Sequence, residues 1–194
     1  MADELSQVHL TGRQIRVLAH PLRIRLLGRL RGEGPKTATQ LAEMLNTNTG
    51  ATSYHLRQLA EAGLVVEEER AGGGRQRWWR AVHQMSSWQR SNYTDDPDAA
   101  AAAVWLETFQ VNRFVELAEA WQHGVSAESE EWRDSGGVSD YLLHLNHAQV
   151  RELMEEIEAT VERFAAAEPG PGARPVDFYA AALPKPDPAR EASS

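Results

Sequence analysis

Between residues 12 and 63 the chain is broken at Pro21, at Gly34-Pro35, along the polar run 46–50 and again at Gly63. The apolar residues left between these breaks fall at helical spacing, so the stretch can build only a cluster of short helices, each burying one face. Ile15, Val17, Leu18, Leu22, Leu26, Leu27 and Leu30 form the first periodic set. Pro21 removes a helical hydrogen bond if it lies inside a helix, yet suits the first turn of a new one. One short helix is therefore expected before His20 and a second from Pro21 to Leu30, ended by Gly32 and Gly34-Pro35.

Thr37 is a good N-cap for a third helix over 38–45, with Leu41, Ala42 and Leu45 inward. The polar turn 46–50 follows. A fourth helix is expected over 50–62, capped by Thr49 and stopped by Gly63. Its inward face holds Thr52, Leu56 and Leu59, with His55 beside it. Its opposite face holds Ser53, Tyr54 and Arg57, with Gln58 at the edge. Two short helices joined by a polar turn make a helix-turn-helix. Short polar groups and an arginine on the second helix suit the reading of base edges. Arg57 can bond guanine bidentately, and Ser53 or Tyr54 can donate to bases or phosphates.

After Gly63 the pattern changes period. Residues 64–70 read as a strand, 71–74 as a glycine-rich turn, and 75–82, rich in tryptophan and arginine, as a return strand. This is the hairpin, or wing, of a winged helix. Arg70, Arg75 and Arg77 flank its tip, where they reach phosphates or the minor groove. Gly72-Gly73-Gly74 is not a nucleotide-binding loop: it lacks the Lys-Ser/Thr ending and the following helix.

Three segments carry a resemblance to a known family. Ala19-His20-Pro21-Leu22-Arg23-Ile24-Arg25-Leu26-Leu27 resembles the opening helix of ArsR-type winged-helix regulators. Residues 52–59 (Thr-Ser-Tyr-His-Leu-Arg-Gln-Leu) with Ala62-Gly63-Leu64-Val65 resemble their recognition helix and wing start. Gly74-Arg75-Gln76-Arg77-Trp78-Trp79-Arg80 resembles the return strand. The resemblance covers residues 12–85 and implies a dimeric regulator, mostly a repressor, of nearby promoters. Metal-sensing members of that family commonly carry a cysteine pair before the turn, and this chain has no cysteine. The implied effector is therefore a non-metal small molecule, and no cofactor or metal is expected.

Net charge is -8, which at first opposes nucleic-acid binding, but it is unevenly spread. Residues 1–85 hold 12 of the 20 Lys/Arg and 8 of the 28 Asp/Glu, so the excess of acid lies wholly in the second half. An acidic half repels phosphate and is expected to face away from DNA. The acidic, polar N-terminus is unlike a secretory signal, and no apolar run approaches membrane-spanning length. A cytoplasmic protein without membrane contact is the expectation, and no nucleophile motif suggests an enzyme.

In the second half, Asp95-Asp96-Pro97-Asp98 suits a helix start, with acids at the positive end of the dipole. A long helix over 99–123 is expected, with Val104, Trp105, Phe109, Val111, Val115, Ala118 and Trp121 recurring along it. Apolar residues around so much of its circumference suggest a dimer interface. Residues 124–137 read as a polar loop. Residues 138–145 read as a strand, 147–167 as a helix capped by Asn146, and 176–183 as a second strand, giving a small strand–helix–strand unit. His144, His147 and Asp140 fall across a strand-to-helix junction, which spoils them as metal ligands. Trp88, Trp105 and Trp121 suit either an effector pocket or a dimer core.

The expected fold is thus mainly α with small β. Residues 1–85 form a winged helix-turn-helix, 86–183 a helical dimerisation and effector domain, and 184–194 a disordered tail. The expected partners are double-stranded DNA, a second copy of the chain and a small-molecule effector. The DNA-facing residues are Thr49, Ser53, Tyr54, Arg57, Gln58, Arg75 and Arg77. The rival reading is a winged-helix protein-interaction module that does not touch DNA.

Overall fold

The computed structural model describes residues 7–68 and 76–186. It divides into two compact units, 1–120 and 121–194. In the first, β1 (Gln7–His9) leads into α1 (Gly12–Leu18), α2 (Pro21–Glu33), β2 (Lys36–Thr37), α3 (Ala38–Met44) and α4 (Thr49–Glu61). Then come β3 (Val65–Glu68), β4 (Trp78–Ala81), β5 (Met85–Ser87), a 3₁₀ turn (Arg90–Tyr93) and α5 (Pro97–Gly124).

Local chemistry sets the helix boundaries. Thr11 and Gln14 form a reciprocal capping box on α1, and Thr37 and Gln40 form another on α3. The His20 imidazole caps α2, its Nδ1 accepting from the Leu22 amide at 3.1 Å, with Pro21 at the first helical position. Gly34 and Gly63, at φ of 73° and 72°, let the chain leave α2 and α4 through the left-handed region.

The core lies where α1–α4 meet the sheet. Ile15, Leu26, Leu27, Leu30, Leu41, Leu56, Leu59 and Leu64 are all essentially inaccessible to solvent. The sheet order is β2-β4-β3, antiparallel throughout, with Val65 opposite Ala81 and Glu68 opposite Trp78. Helix–turn–helix followed by hairpin is a winged helix-turn-helix, as the sequence pattern predicts. The hairpin strands are shorter than expected among the described residues. Arg70, Gly72, Gly73, Gly74 and Arg75 lie outside the described residues.

Two features were not legible as period. The short strand β2 adds an edge to the wing. The strands β1 and β5 pair in parallel, Gln7 with Met85 and His9 with Ser87, closing the N-terminal segment onto the chain leaving the wing. The buried Tyr93 hydroxyl donates to the Leu10 carbonyl at 2.6 Å, and Ala99, Ala102, Ala103 and Leu106 of α5 complete this side of the core. Asp96 begins α5 by accepting from the Ala99 amide at 3.0 Å and pairs with Arg16.

In the second unit, 124–137 is not an open loop. It holds a 3₁₀ turn (Val125–Ala127) and a short α6 (Glu130–Ser135), with Trp121 packed so closely that a Cβ on Gly136 would stand 2.6 Å from its ring. Asn146 caps α7 (His147–Ala165), accepting from the Ala148 and Gln149 amides. The two expected strands are absent: 138–145 and 176–183 have no regular secondary structure and join no sheet. Alternation supplies a strand's face, but a strand forms only when it pairs with a neighbouring strand, and neither segment is part of a sheet.

Candidate nucleic-acid interface

The second helix of the motif, α4, is about 20 Å long. Its buried face is Thr52, Leu56 and Leu59. Thr52 sits in the core because its hydroxyl donates back to the Asn48 carbonyl at 3.1 Å, satisfying the polar group inside the helix. One helical turn round, Tyr54 and Arg57 stand on the exposed face, Tyr54 at 52% exposure, and Ser53 is half-buried beside them. The Arg57 Nε donates to the Ser53 carbonyl at 3.3 Å, which steers the side chain along the helix toward its N-terminal half. Gln58 is half-buried and its amide donates to Glu61 at 3.2 Å, so it is less available than its edge position suggests.

The N-terminus of α4 differs in one respect from expectation. The cap is Asn48, not Thr49: the Asn48 side chain accepts from the Ala51 amide at 2.8 Å. Thr49 is instead the first residue of the helix, exposed and with its hydroxyl not used in capping. An asparagine in the turn 46–50 is an equally good cap, so residue type alone did not distinguish the two. No acidic residue occupies the first turn of α4, so the positive end of the dipole is not neutralised there.

Beneath this face lies a group that sequence spacing did not bring together. The His20 and His55 rings are 4.4 Å apart, and Tyr54 meets His55 edge-on at 5.1 Å. Arg23 of α2 lies near enough to interact with both imidazoles and with Tyr54, and its Nε donates to the Val17 carbonyl. Burial, then the Arg23 charge, lowers the pKa of His20; burial, then His20 and Arg23, lowers that of His55. Both histidines are thus held neutral near pH 7. The only sequence signal for this group was the helix boundary at His20-Pro21.

On the wing, Arg77, just before β4, is exposed and pairs with Glu67 of β3 at 3.1 Å. Arg80 stands 3.7 Å from Glu68. Arg31, half-buried, anchors the base of the wing, donating to the His83 carbonyl at 2.9 Å and to the Ser86 hydroxyl at 2.6 Å. Burial lowers its pKa to about 10, which leaves it charged at neutral pH. Arg75 is outside the described residues.

Trp88 and Trp105 are half-buried against the core of the first unit, and Trp105 stacks on Phe109 at 5.4 Å. Trp121 packs against Gly136 in the second unit. An open groove in that unit is lined by Leu153, Ile157, Val161, Phe164, Val176 and Phe178. Among the described residues no group of three or more His, Asp or Glu is placed to hold a metal ion, and no helix is long and apolar enough to cross a membrane.

Residues 18–68 match the family model of a helix-turn-helix domain. No curated protein sequence matches the chain. Among solved structures, a possible transcriptional regulator for arsenical resistance is 31% identical, with 54% of this chain and 95% of that one covered and a TM-score of 0.32. A fragment of a possible transcriptional regulatory protein from Mycobacterium bovis is 19% identical over 50% of this chain and 88% of that one, with a TM-score of 0.34. A MarR family regulator from Neisseria meningitidis is 18% identical over 77% and 79%, with a TM-score of 0.30. Element order, strand pairing and the matched helix-turn-helix domain together make residues 12–85 a winged helix-turn-helix.

Proposed function

We propose that this protein is a sequence-specific DNA-binding transcriptional regulator that acts as a dimer, with α4 in the major groove and the wing against the flanking backbone. The observation that carries the reading is the exposed face of α4. Tyr54 and Arg57 project from a rigid helix whose other face is locked in the core, and its N-terminus carries no acid to repel phosphate. A helix so held presents donors at fixed spacing, which is what reading base edges requires.

In this reading Ser53, Tyr54 and Arg57 contact bases, Thr49 and the α4 N-terminus meet a phosphate, and Arg75 and Arg77 brace the flank. Gln58 serves at the margin. The resemblance to ArsR-type regulators favours repression, relieved by a non-metal small molecule.

Selection of bound fragments from genomic DNA by the purified protein defines the cognate site. On that site Arg57→Ala is expected to cost about 1–3 kcal/mol, with selectivity relaxed at one base pair. Equal losses on cognate and random DNA would remove Arg57 from base reading. Absence of salt-dependent retardation with any DNA would instead make the winged helix a protein-interaction module.

A further inference from the structure

The second unit has a groove where the first has a core. Every fully buried side chain among the described residues lies at or before Leu106. In α7, Leu153, Glu156, Ile157, Thr160, Val161 and Phe164 fall three or four positions apart, so they form one stripe along about 16 Å of helix. The chain after α7 supplies the other wall through Arg174, Val176 and Phe178. Arg174 pins that wall, donating to Glu128 at 2.9 Å, with its guanidinium 4.0 Å from the centre of the Trp132 ring. Between the walls lies a volume of about 740 Å³, the size of a small-molecule site. Phe164, Val176 and Phe178 remain 68%, 68% and 65% exposed, so the groove is apolar and uncovered.

The polar groups of the groove select the sign of charge it accepts. Arg174 is the basic residue of the lining, and Glu128 and Trp132 already hold it. Glu156 is exposed at the rim and has no ion-pair partner among the described residues. The surrounding field has the same sign, since residues 121–194 hold 14 Asp/Glu against 6 Lys/Arg. An anion entering here would meet a free carboxylate and no free cation of the lining. A cation would meet the carboxylate and aromatic rings. The Phe164 ring already carries the Arg163 guanidinium at 4.8 Å, while Phe178 carries none among the described residues. A protein partner is a poorer match, because a stable one buries about 800 Å² on each side and this groove is the size of one small molecule.

We propose that the groove between α7 and residues 174–178 binds an organic cation with a bulky apolar body, a quaternary ammonium or phosphonium ion. Its body lies against Ile157, Val161 and Val176, and its charge is directed toward Glu156. The proposal names the chemistry of the small molecule in the regulator reading above, and rests on that reading only for any consequence at DNA.

Titration calorimetry on the full-length protein tests this with tetraphenylphosphonium and tetraphenylborate, which share size and shape and differ in the sign of charge. The phosphonium ion is expected to bind at least tenfold more tightly than the borate. Glu156→Gln, a change at an exposed position, should weaken phosphonium binding about threefold and narrow the gap between the two ions. Val161→Trp fills the groove and should abolish binding. Thr160→Trp fills it from an exposed helical position and serves if the first variant loses helical circular dichroism. Absence of phosphonium binding, equal affinity for the two ions, unchanged affinity in Glu156→Gln, or binding that survives a folded groove-filling variant would overturn the proposal. So would a wild-type dimer made monomeric by Thr160→Trp in sedimentation equilibrium, which would make the groove an interface between copies. Retardation of cognate DNA is measured in parallel. A protein that retards DNA without binding the cation loses this proposal alone, and one that binds the cation without retarding DNA loses the DNA reading alone.

Discussion

At the scale of single residues, the His20–His55 pair gives the fold a pH dependence of definite sign. In the native protein burial and the nearby Arg23 charge hold both imidazoles neutral, whereas in the unfolded chain they titrate near 6.5. Above that pH neither state is protonated and the pair adds no slope. As pH falls below it the unfolded chain binds protons first, so stability declines until the lowered native values are reached. Melting temperature is therefore expected to fall as pH drops below about 6.5, and His55→Gln should flatten that decline. The native pKa values of Asp96 and Glu107 are lowered too, but they act at more acid pH, which keeps the two windows apart. An unchanged slope in His55→Gln would separate the pair from the effect. Arg77 supplies a second residue-scale test. If it touches phosphate, Arg77→Ala should weaken cognate and random DNA alike and reduce the slope of log K against log salt by about one. Its existing pair with Glu67 is an exposed one and offers little resistance to that exchange.

At the scale of elements, α4 owes its start to Asn48 and its end to Gly63. Asn48→Ala should destabilise the protein by about 1 kcal/mol in urea unfolding, while Thr49→Ala should stay within about 0.5 kcal/mol. The same Thr49→Ala change is expected to weaken DNA binding, which distinguishes a phosphate contact from a cap. Among core positions Leu56 anchors the inner face of α4 with no solvent exposure, so Leu56→Ala should cost about 2–5 kcal/mol. The wing is held differently, through β4 and the half-buried Arg31. A guanidinium donating to a carbonyl and a hydroxyl, with no acid among those two partners, keeps its charge by hydrogen bonding and fixes where the hairpin leaves the core.

For the whole molecule, the division of burial matters more than the division of sequence. The buried core cluster runs from Leu10 to Leu106, all within the first unit. A fragment comprising 1–120 is therefore expected to unfold cooperatively, with a melting temperature close to that of the intact chain, when followed by circular dichroism. Loss of cooperativity in the fragment would show that 121–194 contributes to the core. The same fragment sheds much of the acidic excess, so its DNA affinity per reading unit should not fall when measured as a monomer on a half-site.

The sequence by itself determined the helical cluster, the turn at 46–50, the hairpin and the polar face of α4. Each depends on local rules: period, caps and the conformational freedom of Gly63. It also carried the outline of α5 and α7. Only tertiary structure decided what depends on a neighbour distant in the chain. The parallel pairing of β1 with β5, the His20–His55–Arg23 group and the hydrogen bonds of Arg31 to His83 and Ser86 join residues tens of positions apart, and no periodicity encodes them. Tertiary structure also withdrew the strands at 138–145 and 176–183. Alternation states which face a strand would bury, whereas a strand also needs a neighbouring strand to pair with, and neither segment joins a sheet.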